Sequence, residues 1–226
     1  MEAFLYLFKT TVALIVLICI SICSCEQYAD AISQAPIIIL DAGHGGEDPG
    51  AIGYNNVYEK DLNLSICTLL YEELTVRGYT VVMTRTEDKL LYNESENIKG
   101  IRKISDLKNR VKIFNSYDLA IAVSIHMNTF SAPQYHGTQI YYSDADGART
   151  LAMAIKDSVR TSLQPDNKRP LKRSEGIYLL ERSKIPTVLV ECGFLSNPNE
   201  CQKLSEKEYQ KSLSFAIVCG IIEALE

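Results

Sequence analysis

The stretch Ile37-Ile38-Ile39-Leu40-Asp41-Ala42-Gly43-His44-Gly45-Gly46 is an apolar run that breaks into a glycine-rich turn with a histidine at its apex. A strand without polar alternation is buried on both faces, the environment of a largely parallel sheet covered by helices. Glycines on either side of His44 let the backbone turn tightly and leave the imidazole open to a metal or a substrate. The chain has only three histidines, so one at a strand end carries weight. Taken alone it is an ordinary turn histidine.

Two further apolar strands end in the same way: 119–125 runs into His126, and 186–190 runs into Glu191. Between them the pattern alternates. Residues 60–76 read as a helix with Leu62, Ile66, Leu69, Leu70 and Leu74 on one stripe, ended by Gly78, and 79–84 as a strand. Residues 86–100 are a polar surface excursion, and 102–115 a helix with Ile104, Leu107, Val111 and Phe114 at helical spacing. A strand at 138–142, a helix at 147–163, a basic loop at 164–176, a strand at 177–180 and a closing amphipathic helix at 206–225 complete the reading. The fold class is therefore α/β: a single-domain three-layer α/β/α sandwich with a twisted, largely parallel mixed sheet of about six strands.

In open α/β sheets, ligands bind beyond the carboxyl ends of the strands. His44, His126 and Glu191 all stand there, and Glu59 opens the first long helix, whose start returns to the same edge. Two histidines, a carboxylate and an open position make a catalytic zinc sphere, and the second carboxylate is then free to act as general base. Each residue also has a plainer explanation. His126 alone could be a core histidine, Glu59 could serve the helix dipole, and Asp61 competes with Glu59 for either role. Glu191 is hardest to explain away, because a carboxylate ending a buried strand needs a partner. Nearby, Asn128 could bind substrate or cap the turn, and Asp41 could orient a ligand histidine or satisfy the glycine turn. Arg85 and Arg110 fit structural as well as functional roles, and His136 reads as surface loop. Lys168, Arg169, Lys172 and Arg173 form a solvated basic loop that could attract carboxylates.

A net charge of −5 argues against nucleic acid as a partner, since phosphate binding needs clustered positive charge. Residues 1–25 are an apolar leader: a cleaved signal, a retained membrane anchor or a lipoprotein leader, any of which means export. Residues 26–35 are a short linker and 36–226 the catalytic body, so membrane contact would run only through the N-terminal segment. Of seven cysteines, Cys19, Cys23 and Cys25 fall in the leader. Cys67 and Cys219 sit in apolar helical patterns, Cys192 is a weak nucleophile candidate, and a Cys192–Cys201 disulfide stays open.

L-D-A-G-H-G-G at 40–46, Glu59 opening a helix, S-I-H-M-N at 124–128 and V-E-C-G-F-L-S-N-P at 190–198 together resemble the zinc N-acetylmuramoyl-L-alanine amidases. The resemblance spans about residues 36–226 and rests on four motifs in order. It implies Zn2+ held by His44, Glu59 and His126, with Glu191 as catalytic base. It further implies cleavage of the amide between the lactyl group of N-acetylmuramic acid and L-alanine in peptidoglycan. The bare catalytic body and the G-I-Y-L-L segment at 176–180 are similar to the germination-specific, spore-cortex type, which implies a role in muramic lactam formation. The implied location is the outer face of the cytoplasmic membrane, the cell wall or the cortex space, with an activating protein partner left open. Two rival expectations are a zinc peptidase or carboxypeptidase acting within the stem peptide, and a non-catalytic wall-binding protein.

Overall fold

The computed structural model describes residues 35–226, so the leader and most of the linker lie outside the described residues. The chain enters through β1 (Ile37–Ala42), whose residues 38–42 are all buried. Helix α1 (Glu59–Val76) follows, burying Leu62, Ile66, Leu70 and Leu74 one turn apart. Next come β2 (Val81–Met83), α2 (Arg102–Phe114) and β3 (Ala120–Asn128). The second half holds β4 (Gln139–Tyr142), α3 (Ala148–Ser162), β5 (Lys172–Arg173) and α4 (Tyr178–Arg182). It closes with β6 (Thr187–Phe194), α5 (Pro198–Ser205) and α6 (Lys207–Leu225).

These strands form one six-stranded sheet in the order β2-β1-β3-β6-β4-β5. All neighbours are parallel except β4 and β6. Helices α1, α3 and α6 pack together on one side, while α2 and α4 meet on the other. The alternation of β1 feeds both layers. Ile39 packs with Phe114, Ala120, Ala122, Leu179 and Ile185, whereas Ile38 and Leu40 point to the opposite face. Pro36–Glu226 form one compact unit. Strand order turns outward from β1 in both directions, to β2 on one side and β3 on the other. That reversal opens a crevice beyond the carboxyl ends of β1 and β3, where such sheets bind ligands.

Four sequence expectations need correction. Residues 177–180 are not a strand: Tyr178–Arg182 form α4, which buries Leu179 and Leu180 side by side. Four apolar residues are too short a run for periodicity to separate strand from helix. The sheet still has six strands because the expected basic loop contains β5, paired with β4 through Tyr141–Lys172 and Tyr142–Arg173. On α2 the expected apolar stripe is only partly inward. Ile104 is exposed, and the buried positions include Asp106 and Arg110. Finally, α5 was unforeseen, although Asn197 caps it by accepting from the Glu200 amide and Pro198 opens it.

Candidate metal centre

Beyond β1 the chain turns at His44, which adopts φ 62°, a left-handed conformation uncommon outside glycine. The turn is pinned from below by two buried arginines. Arg110 donates to the carbonyls of Ala42 and His44 and to the carboxylates of Asp41 and Asp106. Arg85 donates to the carbonyls of Ala42, Gly43 and Lys60. Asp41 also accepts from Thr84 and Ser124. Burial opposes its charge, but Arg110 and these hydroxyls outweigh that and hold its carboxyl below the usual range. Asp41 thus reaches His44 through Arg110.

This scaffold presents His44 to Glu59 and His126. Glu59, the first residue of α1, is buried; its Oε1 accepts from the Met127 amide at 3.0 Å and its Oε2 from the Ala51 amide at 2.7 Å. Asp61, its competitor in the sequence, is exposed. Glu59 Oε1 lies 2.9 Å from His126 Nδ1 and 3.2 Å from His44 Nε2, and the two rings stand 4.9 Å apart. One ligand atom from each of the three residues falls within a 4.8 Å cluster. Two glycines make room for this: a Cβ at Gly43 would meet His126 Nε2 at 2.2 Å, and one at Gly50 would meet Glu59 Oε2 at 2.5 Å. Any side chain at either position would push the donor groups aside.

Electrostatics concentrate at the cluster. Burial disfavours a charged His44, yet hydrogen bonds to Asp48 and Glu59 prevail and push its pKa up to about 9. Burial likewise opposes charge on Glu59, but the two imidazoles hold it far below the ordinary carboxylate range. A carboxylate oxygen facing two ring nitrogens is a donor set that a divalent cation satisfies, and two histidines with one carboxylate suit zinc. The second ring nitrogen of His44 bonds Asp48 Oδ2 at 2.8 Å, the carboxylate–histidine pairing that orients metal ligands. Asp48 went unnoticed in the sequence; its position four residues after His44, inside the glycine-rich turn, was the available signal.

Glu191 stands on β6 between His126 on β3 and Gln139 on β4, in register with both. In-register residues of adjacent strands project to one face, so Glu191 shares the face of His126. Its Oε2 is buried and has no hydrogen-bond partner among the described residues. Burial pushes its pKa up to about 7, with the His126 and His44 charges opposing and the Glu59 charge adding. Cys192 points the other way: it is fully buried, burial raises its pKa well above that of a free thiol, and both it and Cys201 are free thiols. Asn128 is half-buried at the end of β3, beside Phe194, and His136 is exposed.

An α/β sheet that gathers two histidines and a carboxylate beyond its strand ends, with a partnerless carboxylate oxygen on the next strand, offers a donor set for a divalent cation. The family model described as N-acetylmuramoyl-L-alanine amidase, Amidase_3, matches residues 38–223. The chain belongs to this family. It is 37% identical over 187 residues to the germination-specific N-acetylmuramoyl-L-alanine amidase of Bacillus subtilis, covering 82% of this chain and 78% of that protein. It is 35% identical to the uncharacterized protein YqiI of the same organism, covering 89% and 90% of the two chains. Among solved structures, the CwlD amidase of Clostridioides difficile, in complex with the GerS lipoprotein, superimposes with a TM-score of 0.80. That match has 39% identity and covers 84% of this chain and 98% of that one.

Proposed function

We propose that this chain hydrolyses the amide between the lactyl group of N-acetylmuramic acid and L-alanine in peptidoglycan. In this reading His44, Glu59 and His126 hold zinc, and Glu191 moves the proton. The observation that carries it is the buried, unpartnered Oε2 of Glu191 beside the three-residue cluster. A buried carboxylate oxygen without a donor is costly, and it persists where a reacting group is to supply the missing hydrogen bond.

Zinc at this cluster would supply Lewis acidity, polarising the scissile carbonyl and lowering the pKa of a water to about 7. The protein does the rest. Glu191 accepts the proton of the attacking water at the free oxygen and returns it to the departing nitrogen of L-alanine. The carbon–nitrogen bond breaks, leaving a lactyl carboxylate on the glycan and a free amine on the peptide. Asp48 fixes the tautomer and orientation of His44, while the amides of Ala51 and Met127 fix Glu59. In this reading Asn128, at the end of β3, contacts the substrate.

The similarity to a germination-specific amidase supports spore cortex as the peptidoglycan acted on, with the product glycan feeding muramic lactam formation. It also supports export to the outer face of the membrane, cell wall or cortex space. The GerS complex of the CwlD relative supports a protein partner for this chain. Mass spectrometry of cortex muropeptides digested by the zinc-loaded chain tests the reaction. Peptide-free muramic acid and intact stem peptides are expected; cuts inside the stem peptide would replace this reading with a zinc peptidase.

A further inference from the structure

From Asn128 at the end of β3, past Phe194 on β6 and out to β5, runs a cleft of about 290 Å3 whose lining also includes Tyr135, Gln139, Tyr141, Arg169 and Lys172. It continues the catalytic row. Gln139 is in register with Glu191, and one row back Leu189, Tyr141 and Lys172 align across β6, β4 and β5. Strands lie roughly 5 Å apart, so Gln139 stands roughly 5 Å from Glu191 and roughly 10 Å from His126.

Its two cations are built in differently from those around them. The Arg169 guanidinium stacks 4.5 Å above the buried ring of Phe194 and 5.7 Å from Tyr135. Its Nε donates to the His136 carbonyl at 2.8 Å, which fixes the plane of the group. Lys172 Nζ lies 5.5 Å from the Tyr141 ring. Neighbouring Arg173 is neutralised by Asp144, whereas neither Arg169 nor Lys172 forms an ion pair among the described residues. Two aromatic-seated, unpaired cations beside an amidase centre fit a carboxylate ligand, which a guanidinium grips through paired N–H donors.

We propose that this cleft is the peptide-side subsite, and that Arg169 and Lys172 bind the free α-carboxylate of the second stem residue, a γ-linked glutamate. This rests on the amidase reading. A peptide advances about 3.4 Å per residue, so a chain whose first amide lies at the cluster brings its second residue to the mouth of the cleft. The subsite would make the enzyme prefer stem peptides with the glutamate carboxylate free over those in which it is amidated.

The test is equilibrium binding of two product peptides to the zinc-loaded full chain: L-alanyl-γ-D-glutamyl-L-lysine and its α-amide. Neither peptide contains the scissile bond, so binding is read apart from catalysis. The acid is expected to bind about tenfold tighter than the amide, with the preference shrinking as salt rises. Lys172→Gln and Arg169→Gln should each abolish the preference while leaving amide binding unchanged. Lys172 is exposed, so its variant should fold normally. On the matching muropeptides, Lys172→Gln should raise KM for the acid form only and leave kcat unchanged. Equal affinity for the two peptides, or an equal loss for both in the variants, overturns the subsite. A chain that prefers the acid but cleaves no muropeptide would leave the subsite standing and sink the amidase reading; cleavage without preference would do the reverse.

Discussion

On the β1 side of His126, buried charge is answered by buried charge. Arg110 meets Asp41 at 2.6 Å and Asp106 at 2.8 Å, and spends its remaining donors on the carbonyls of the His44 turn. On the β6 side the opposite holds: Glu191 keeps an oxygen unpaired, and Arg169 and Lys172 find aromatic rings instead of carboxylates. Both flanks are rich in ionisable residues, so composition does not separate them. Satisfaction does. A fully answered network holds geometry, whereas groups left unanswered beside a reacting centre await a ligand.

Removing the answer on the first flank should be the costliest change. Arg110→Ala leaves Asp41 and Asp106 buried without their counter-ion, and such a break costs about 3–5 kcal/mol. Urea unfolding at neutral pH reads this directly. The deficit should shrink on acidification. Asp41 is depressed in the native state, so its contribution is full above the unfolded value of 3.8 and fades as pH falls through the lower native value. A loss below about 1 kcal/mol, typical of an exposed pair, would erase the contrast between the flanks. A smaller effect is expected where the scaffold meets the cluster. Asp48→Asn keeps all three proposed ligands but loosens the His44 ring, and zinc affinity by equilibrium dialysis should fall about 10–100-fold. Unchanged affinity would mean that the left-handed backbone at His44 orients the ring unaided.

Much of the fold could be read from β1, β3 and β6, because uninterrupted apolar runs longer than four residues have few alternatives in a sheet covered on both sides. Short or charged segments were the ones misread. Ile177–Leu180 lacked the length to declare a period, and Lys172–Arg173 is a strand through its pairing with β4, not through its own side chains. The site followed a similar rule. His44, Glu59, His126 and Glu191 were expected at one edge because each ends a strand or opens a helix, and the structure gathers the first three within 4.8 Å with Glu191 in register with His126. Asp48 was not foreseen, and Arg110 stood open between structural and functional roles. Arg110 lies in mid-helix, and Asp48 matters only once the turn folds it back onto His44. Hydrogen-bond partners 42 to 69 residues apart, such as Arg85–Gly43 and Arg110–Asp41, leave no periodic trace in a sequence.

The central claim is that Glu191 is the unanswered group that works on the substrate, separate from the residues that hold the metal. Glu191→Gln, nearly the same shape but unable to take a proton, isolates it. Zinc content and muropeptide hydrolysis should be measured on the same preparation. The account predicts wild-type zinc content and a rate lowered by about 10²–10⁴, the range of a lost general base. Hydrolysis near the wild-type rate with zinc in place would contradict it.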